Sequence, residues 1–266
     1  MATELKPRAQ PSPRDSARGD GIVLQSVSRT YRDRAGASMQ ALTGVSMHAA
    51  HGELLAVVGP SGCGKTTLLE LICGLQAPDR GSIVCAPAVL MPQRDLLLPW
   101  LSAVENAALA LRIAGLSRAQ ASRRAATLFA ELGLDGFQDA HPSELSGGMR
   151  QRVAFLRTLL SGKPILCLDE PFGALDAITR GEMQGWLSDA LGRQARTVVL
   201  VTHDVEEAVM LADRIVVLSP RPGRVVEELE VHIPRPRART DAGVLALRER
   251  ALGILHLGAS TPGALG

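Results

Sequence analysis

Along this chain the apolar positions fall into short unbroken runs that alternate with longer stretches of helical spacing. Glu53–Gly59 (ELLAVVG), Ile165–Leu168 and Thr197–Val201 are continuous aliphatic runs, the pattern of strands buried on both faces. Helical stretches follow each of them, over Lys65–Cys73 (stopping at Gly74), Asp176–Leu191 and Asp204–Leu211, with a further strand at Arg214–Leu218. Strand then helix, repeated, predicts a parallel α/β layer. The N-terminal part reads differently. Ile22–Tyr31 alternates weakly, Asp33–Ser38 is a polar turn, and Ala41–Ala50 returns as the second strand of a hairpin. Pro78–Gly81 then turns into one more strand within Ser82–Met91.

No strand pattern interrupts Leu101–Leu160. Val104–Leu111 is Ala/Leu-rich and helical. Ser117-Arg118-Ala119-Gln120 is a capping box that opens a helix ending near Gly133, with Ala121, Ala125, Leu128, Phe129 and Leu132 on one face. Met149–Leu160 is a third helix, carrying Arg150, Arg152 and Arg157 on its polar side. The whole reads as a helical insertion over about 94–160. Val225–Ile233 is expected as an edge strand and Leu245–Leu257 as a short terminal helix. Arg235, Arg237 and Arg239 between them read as a solvated, Pro-punctuated linker, with a contact to anionic lipid as the other reading. Residues 1–21 hold Pro, Ser and Arg without an apolar core, so they read as a disordered tail and not a signal peptide. The expected division is a tail, a domain over 22–233, and a linker with a helix over 234–266.

The 266 residues suffice for one large domain, and 46% apolar content with 3% aromatics makes its core aliphatic. A net charge of +2 gives no electrostatic footprint for nucleic acid. Cys63, Cys73, Cys85 and Cys167 form no CxxC pair, and Cys73 and Cys167 sit in apolar runs, as small core residues of a reducing compartment do. No uncharged apolar stretch reaches the roughly 18 residues of a membrane span, so any membrane role is expected through a partner.

Candidate chemistry concentrates at the ends of the strands. Gly59-Pro60-Ser61-Gly62-Cys63-Gly64-Lys65-Thr66, followed by Thr67, fits G-x-x-x-x-G-K-[ST] between an expected strand and an expected helix. Its glycines let backbone amides wrap phosphates, and the helix N-terminus adds positive potential. Lys65 supplies a cation for the β- and γ-phosphates and Thr66 a hydroxyl for Mg²⁺. Cys63 sits among those amides, either with a lowered thiol pKa or, the favoured reading, as an inert small residue. Asp169-Glu170 ends an apolar strand, where Asp169 can hold Mg²⁺ and Glu170 can polarise an attacking water. Ser146-Gly147-Gly148 precedes the helix at Met149 and reads as a second anion site or as an ordinary helix cap. His203 at a strand end can donate to a γ-phosphate or be structural. Tyr31, the sole tyrosine, can stack on a purine or be a hairpin surface aromatic.

Taken in order, these motifs resemble the ATP-binding cassette (ABC) ATPases, nucleotide-binding subunits of membrane transporters, from about Ile22 to Val231. The resemblance implies a P-loop NTPase (RecA-like) α/β core with an N-terminal antiparallel β subdomain and an inserted α-helical subdomain. It implies ATP and Mg²⁺ as cofactors, Tyr31 on adenine and Gly59–Thr67 on the phosphates. Gln93 would join Thr66 and Asp169 at the metal. Lys65, Glu170 (general base) and His203 (switch histidine) would be catalytic. Leu145–Gln151 would be the signature segment, with Ser146, Gly147 and Gly148 on the nucleotide, and Asp176 the inter-subunit aspartate. The partners implied are a second copy, head to tail, integral membrane permease subunits, and indirectly a periplasmic or lipid-anchored solute-binding protein. No nucleic acid is implied. The place implied is the cytoplasmic face of the inner membrane, with the insertion and the stretch after Gln93 touching the permease.

More narrowly, Leu98-Pro99-Trp100, Val104-Glu105-Asn106 and Leu145–Arg152 (LSGGMRQR) resemble importers of the nitrate, sulfonate and taurine group. Phe155-Leu156-Arg157-Thr158 resembles members that import pyrimidine precursors of thiamine. Met91-Pro92 before Gln93 departs from the family pattern, and the proline removes a backbone donor there. The competing reading inside the family is a cassette ATPase that moves no solute and acts on ribosomes or DNA. Outside it stand a small-molecule kinase, a GTPase and a non-catalytic regulatory subunit; no guanine-reading Asn-Lys-x-Asp is found.

Overall fold

The computed structural model describes residues 21–32, 36–173, 175–193 and 196–259. All but the last residue of the expected N-terminal tail and the first half of the turn over Asp33–Ser38 lie outside them. A six-stranded sheet forms the centre, in the order β5 (Ala88–Met91), β6 (Ile165–Asp169), β7 (Thr197–Thr202), β3 (Leu54–Val58), β8 (Arg214–Leu218), β9 (Val225–Glu230). All neighbours run parallel except the β8–β9 pair. Every residue of β3, β6 and β7 is buried, which is why those segments are continuous aliphatic runs. Their side chains alternate between two cores, as the strand period of two requires. Leu54, Ala56, Val58, Leu166 and Leu168 face one, and Leu55, Val57, Ile165 and Cys167 the other.

The second core is closed by α1 (Lys65–Ile72) and by an antiparallel sheet in the order β2 (Ser38–Ala49), β1 (Ile22–Arg32), β4 (Arg80–Cys85). The single strand expected within Ser82–Met91 is therefore two strands in two sheets. β4 pairs with β1 and β5 with β6. Pro87 lies in the gap, where it can donate to neither ladder.

The first core holds the helical insertion, α2 (Ala103–Ile113), α3 (Arg118–Ala126) and α4 (Gly147–Leu159), together with α5 (Ala177–Arg193) and α6 (Val205–Leu211). Ser102 and Ser117 both close capping boxes. The helix from Ser117 is shorter than expected. It ends at Ala126, and the chain tightens into i→i+3 turns up to Gly133. The Thr127 hydroxyl donates to the Arg124 carbonyl, 2.9 Å away, a side-chain bond that competes with regular helix. Ala121, Ala125, Phe129 and Leu132 are buried all the same.

Of the three arginines expected in a solvated linker, Arg237 is instead held within the fold. Arg237 is buried and donates to the carbonyls of Val209 (2.8 Å), Met210 (3.2 Å) and Ala212 (2.7 Å). It thereby satisfies the C-terminal end of α6 with a cation, where the helix dipole favours one. Arg235 pairs with Asp213 and Arg239 with Glu206. α7 (Ala242–Ala259) docks behind this clamp through Val244 and Ala251.

Candidate functional site

The strand β3 ends at Val58 and α1 begins at Lys65, so the Gly59–Thr67 loop lies between a buried strand and a helix N-terminus. Gly64 precedes the helix at φ 108°, and no side chain caps it. The first amides of α1 thus keep their donors for an anion. A Cβ on Gly64 would stand 2.8 Å from the Ala41 carbonyl oxygen, so only glycine fits. Lys65 is buried, and its Nζ donates to the carbonyls of Gly59 (2.7 Å) and Pro60 (3.0 Å), across the mouth of the loop. Cys63 is buried, and burial pushes its thiol up. That direction runs against the reading of a lowered thiol pKa.

A cleft of about 330 Å³ opens over this loop. Tyr31, Ser61, Gly62, Gly64, Lys65, Thr66, Thr67, Gln93, Asp169 and Glu170 line it. The Tyr31 hydroxyl lies 3.2 Å from Thr67 Oγ1, and the Arg29 guanidinium sits 5.2 Å from its ring centroid. Thr66 Oγ1 donates to Asp169 Oδ2 at 2.8 Å. Burial raises the Asp169 carboxyl above its ordinary value, and the Thr66 bond opposes it. Thr66, Asp169 and Gln93 offer hard oxygen donors, a set that suits Mg²⁺.

Glu170 is held off the line of β6. Its φ is 47°, and its N–H donates to the Val201 carbonyl at 2.9 Å. The side chain meets Gln93 Nε2 at 2.9 Å through Oε2 and His203 Nδ1 at 3.1 Å through Oε1. A carboxylate, a histidine and an amide therefore converge beside the phosphate loop. Pro92 leaves this intact, because Gln93 reaches Glu170 through its side chain. Gln93 is followed by a segment that the arginines of α4 hold in place. Arg150 Nε donates to Asp95 Oδ2 (3.1 Å), and Arg157 donates to the carbonyls of Asp95 (2.7 Å) and Leu96 (3.0 Å). These two arginines are staples between the insertion and the sheet edge, more than a solvated helix face. Arg152 ties α4 to Leu132 in the same way (2.8 Å). Asn106 is buried and bonds Leu98 N–H, Leu98 C=O and Leu101 C=O, which fixes Leu98–Leu101.

Ser146, Gly147, Gly148 and Asp176 are not among the residues lining the cleft. Ser146 caps α4, accepting from Met149 N–H at 3.2 Å. Gly148 packs toward Leu175, and Asp176 caps α5 by accepting from Ile178 (3.1 Å) and Thr179 (3.0 Å) amides. Those bonds, Thr179 foremost, hold the Asp176 carboxyl below its ordinary range. Gly148 and Asp176 thus lie near one another through Leu175, apart from the residues that line the cleft.

Two features escaped the sequence. Glu207 is buried one turn beyond His203 and accepts from the Thr202 hydroxyl and from Gln184 Nε2. Desolvation pushes its carboxyl up to about 7. Arg221, in the turn after β8, also lines the cleft. Neither has a sequence signal, since their partners lie on other elements.

Residues 42–173 match the family model described as ABC transporter. The chain is 42% identical over 234 residues to a taurine import ATP-binding protein of Chromobacterium violaceum, covering 82% of this chain and 90% of that one. It is 45% identical over 182 residues to a formylaminopyrimidine import ATP-binding protein of Halalkalibacterium halodurans, covering 67% of this chain and 73% of that one. This chain belongs to the ABC transporter family. Among solved structures it is similar to an ATP-binding cassette in a post-hydrolysis dimer bound to ADP and Pi, with a TM-score of 0.73 at 29% identity over 80% of this chain and all of that one. The fold is accordingly the P-loop NTPase core with an antiparallel β subdomain and a helical insertion. The activity of such a cassette is ATP hydrolysis. No helix among the described residues is long and apolar enough to cross a membrane.

Proposed function

We propose that this chain drives solute import by closing on ATP as a head-to-tail homodimer and coupling that closure to separate permease subunits. The observation that carries this reading is the separation of two anion-seeking surfaces in one chain. Tyr31, Lys65, Thr66, Asp169, Glu170 and His203 gather at the cleft, while Ser146–Gly148 and Asp176 face elsewhere. Two such half-sites complete each other when a second copy is related head to tail. In this reading Tyr31 stacks on adenine, Gly59–Thr67 wraps the phosphates and Lys65 leaves its carbonyl partners for phosphate oxygens. Glu170 takes the proton of the attacking water, while His203 and Gln93 orient the Glu170 carboxylate and the γ-phosphate. Thr66, Asp169 and Gln93 would hold Mg²⁺, which neutralises phosphate charge when bound. The domain boundaries proposed are 22–233 for the ATPase with its insertion at 94–160, and 234–266 for the C-terminal linker and helix.

Leu96 and Trp100 beside the stapled segment are exposed, as are Phe137 and Ile113 on the insertion. Exposed large apolar side chains suit a protein partner, and a permease at the cytoplasmic face of the membrane is the partner proposed. The similar proteins from Chromobacterium and Halalkalibacterium are import subunits for taurine and for formylaminopyrimidine. We place the solute of this system in those classes, delivered by a periplasmic or lipid-anchored binding protein. The test is uptake of each solute in cells with and without this chain, together with co-purification of a multispanning protein. Ribosome or DNA association of an active ATPase without such a partner would overturn the transport reading.

A further inference from the structure

The turn between β8 and β9 carries a cation to which the roles above assign nothing. The turn is closed on itself. Ser219 N–H donates to the Arg224 carbonyl at 2.9 Å, and Ser219 Oγ donates to the Pro222 carbonyl at 3.1 Å. It is fastened to β2 by Gly223 N–H to the Ala41 carbonyl (2.8 Å) and Thr43 N–H to the Gly223 carbonyl (3.0 Å). It also presses on the phosphate loop, for a Cβ on Gly223 would lie 2.2 Å from the Cys63 carbonyl oxygen. A surface hairpin turn is thereby fastened against the phosphate loop, and its Arg221 lines the cleft.

Arg221 projects from this turn along the loop. Its Nε donates to the Gly62 carbonyl at 2.9 Å, and Nη2 lies 2.8 Å from the place where Gly62 would carry a Cβ. Nη1 rests on the Met39 sulfur. Met39 is the cross-strand partner of Tyr31, so the guanidinium stands at the Tyr31 end of the cleft. Its partners are Gly62 and Met39, and none of them is Gln93, Asp169 or Glu170, the residues gathered with His203. Among the described residues, no oxygen accepts from Nη2. A permanently charged, planar group is therefore held by one backbone bond with donors to spare, at the rim of a loop built to wrap phosphates.

We propose that Arg221 is a nucleotide ligand that donates to the phosphates nearest the nucleoside, those common to ATP and ADP, while the Gly62 carbonyl fixes its plane. This rests on the reading of the cleft as the nucleotide site. A guanidinium fork suits phosphate oxygens, and the brace from Gly62 lowers the ordering needed on binding. Because the contact lies away from the γ-phosphate end, Arg221 strengthens ATP and ADP alike.

The experiment compares the full chain with its Arg221→Gln variant by calorimetric titration with ATP, ADP and adenosine. Loss of one charge-assisted contact is expected to raise the Kd for ATP and for ADP by the same factor, about tenfold, with adenosine affinity unchanged. An unchanged Kd, a loss confined to ATP, or an equal loss for adenosine overturns the proposal. Lys65→Ala separates the two levels of the argument. If the wild-type chain binds neither ATP nor ADP, the cleft reading itself fails. If Lys65→Ala abolishes binding while Arg221→Gln binds normally, only the role of Arg221 fails. A measurement on the wild-type chain decides the matter should the variant unfold. Arginine modification by a dicarbonyl reagent, mapped by peptide mass, is expected to slow at Arg221 with ADP and not with adenosine. Equal labelling with and without ADP overturns the proposal.

Discussion

Replacing Glu207 by glutamine should make the protein more stable at pH 8, although it removes a charged side chain. Glu207 is only 6% exposed. Desolvation lifts its carboxyl from an ordinary value of 4.5 to about 7, against the opposing bonds from Thr202 and Gln184 and the charge of Arg180; Asp204 adds to the rise. A folded-state value above the unfolded one means that the folded chain binds the extra proton. The stability this group contributes is full below pH 4.5 and is lost as pH rises through about 7. The gap corresponds to roughly 3 kcal/mol, which is several degrees in thermal midpoint for a domain of this size. Glutamine stays neutral, accepts from the Thr202 hydroxyl, and faces a Gln184 amide that can turn to match it. Thermal unfolding of the wild type and Glu207→Gln between pH 5 and pH 8 is the assay. The two are expected to converge near pH 5 and to separate in favour of the variant toward pH 8. A difference that does not change with pH, or a variant less stable than wild type at pH 8, would refute the reasoning that burial dominates this carboxyl.

Glu170→Gln is expected to keep ATP binding while turnover drops between about a hundred- and ten-thousand-fold, the span of a lost general base; steady-state phosphate release checks it. Arg237→Ala strips the cation from three carbonyls at the end of α6, and denaturant unfolding should show a loss of about 3 kcal/mol, whereas a solvated arginine would give less than about 0.5. Gly223→Ala forces a methyl to 2.2 Å from the Cys63 carbonyl oxygen, so the turn or the phosphate loop must shift. A stability loss of about 1–3 kcal/mol is expected, with weaker ATP binding in a titration.

The sequence alone determined whatever depends on neighbours a few residues apart. Aliphatic runs announced β3, β6 and β7, because a strand buried on both faces leaves no polar position. The phosphate loop, the capping box at Ser117 and the strand-end carboxylates were legible for the same reason, since their chemistry needs fixed short spacings. Tertiary structure decided the rest. It divided Ser82–Met91 between two sheets, because pairing partners rather than propensity choose a strand's sheet. It turned Arg150 from a solvated charge into a partner of the Asp95 carboxylate and Arg157 and Arg237 into donors to carbonyls elsewhere in the chain, and it buried Glu207 against α5. It brought Arg221 to Gly62 across 159 residues. A long cationic side chain reads the same in sequence whether it meets water or a backbone oxygen, and only the packing of distant elements tells the two apart.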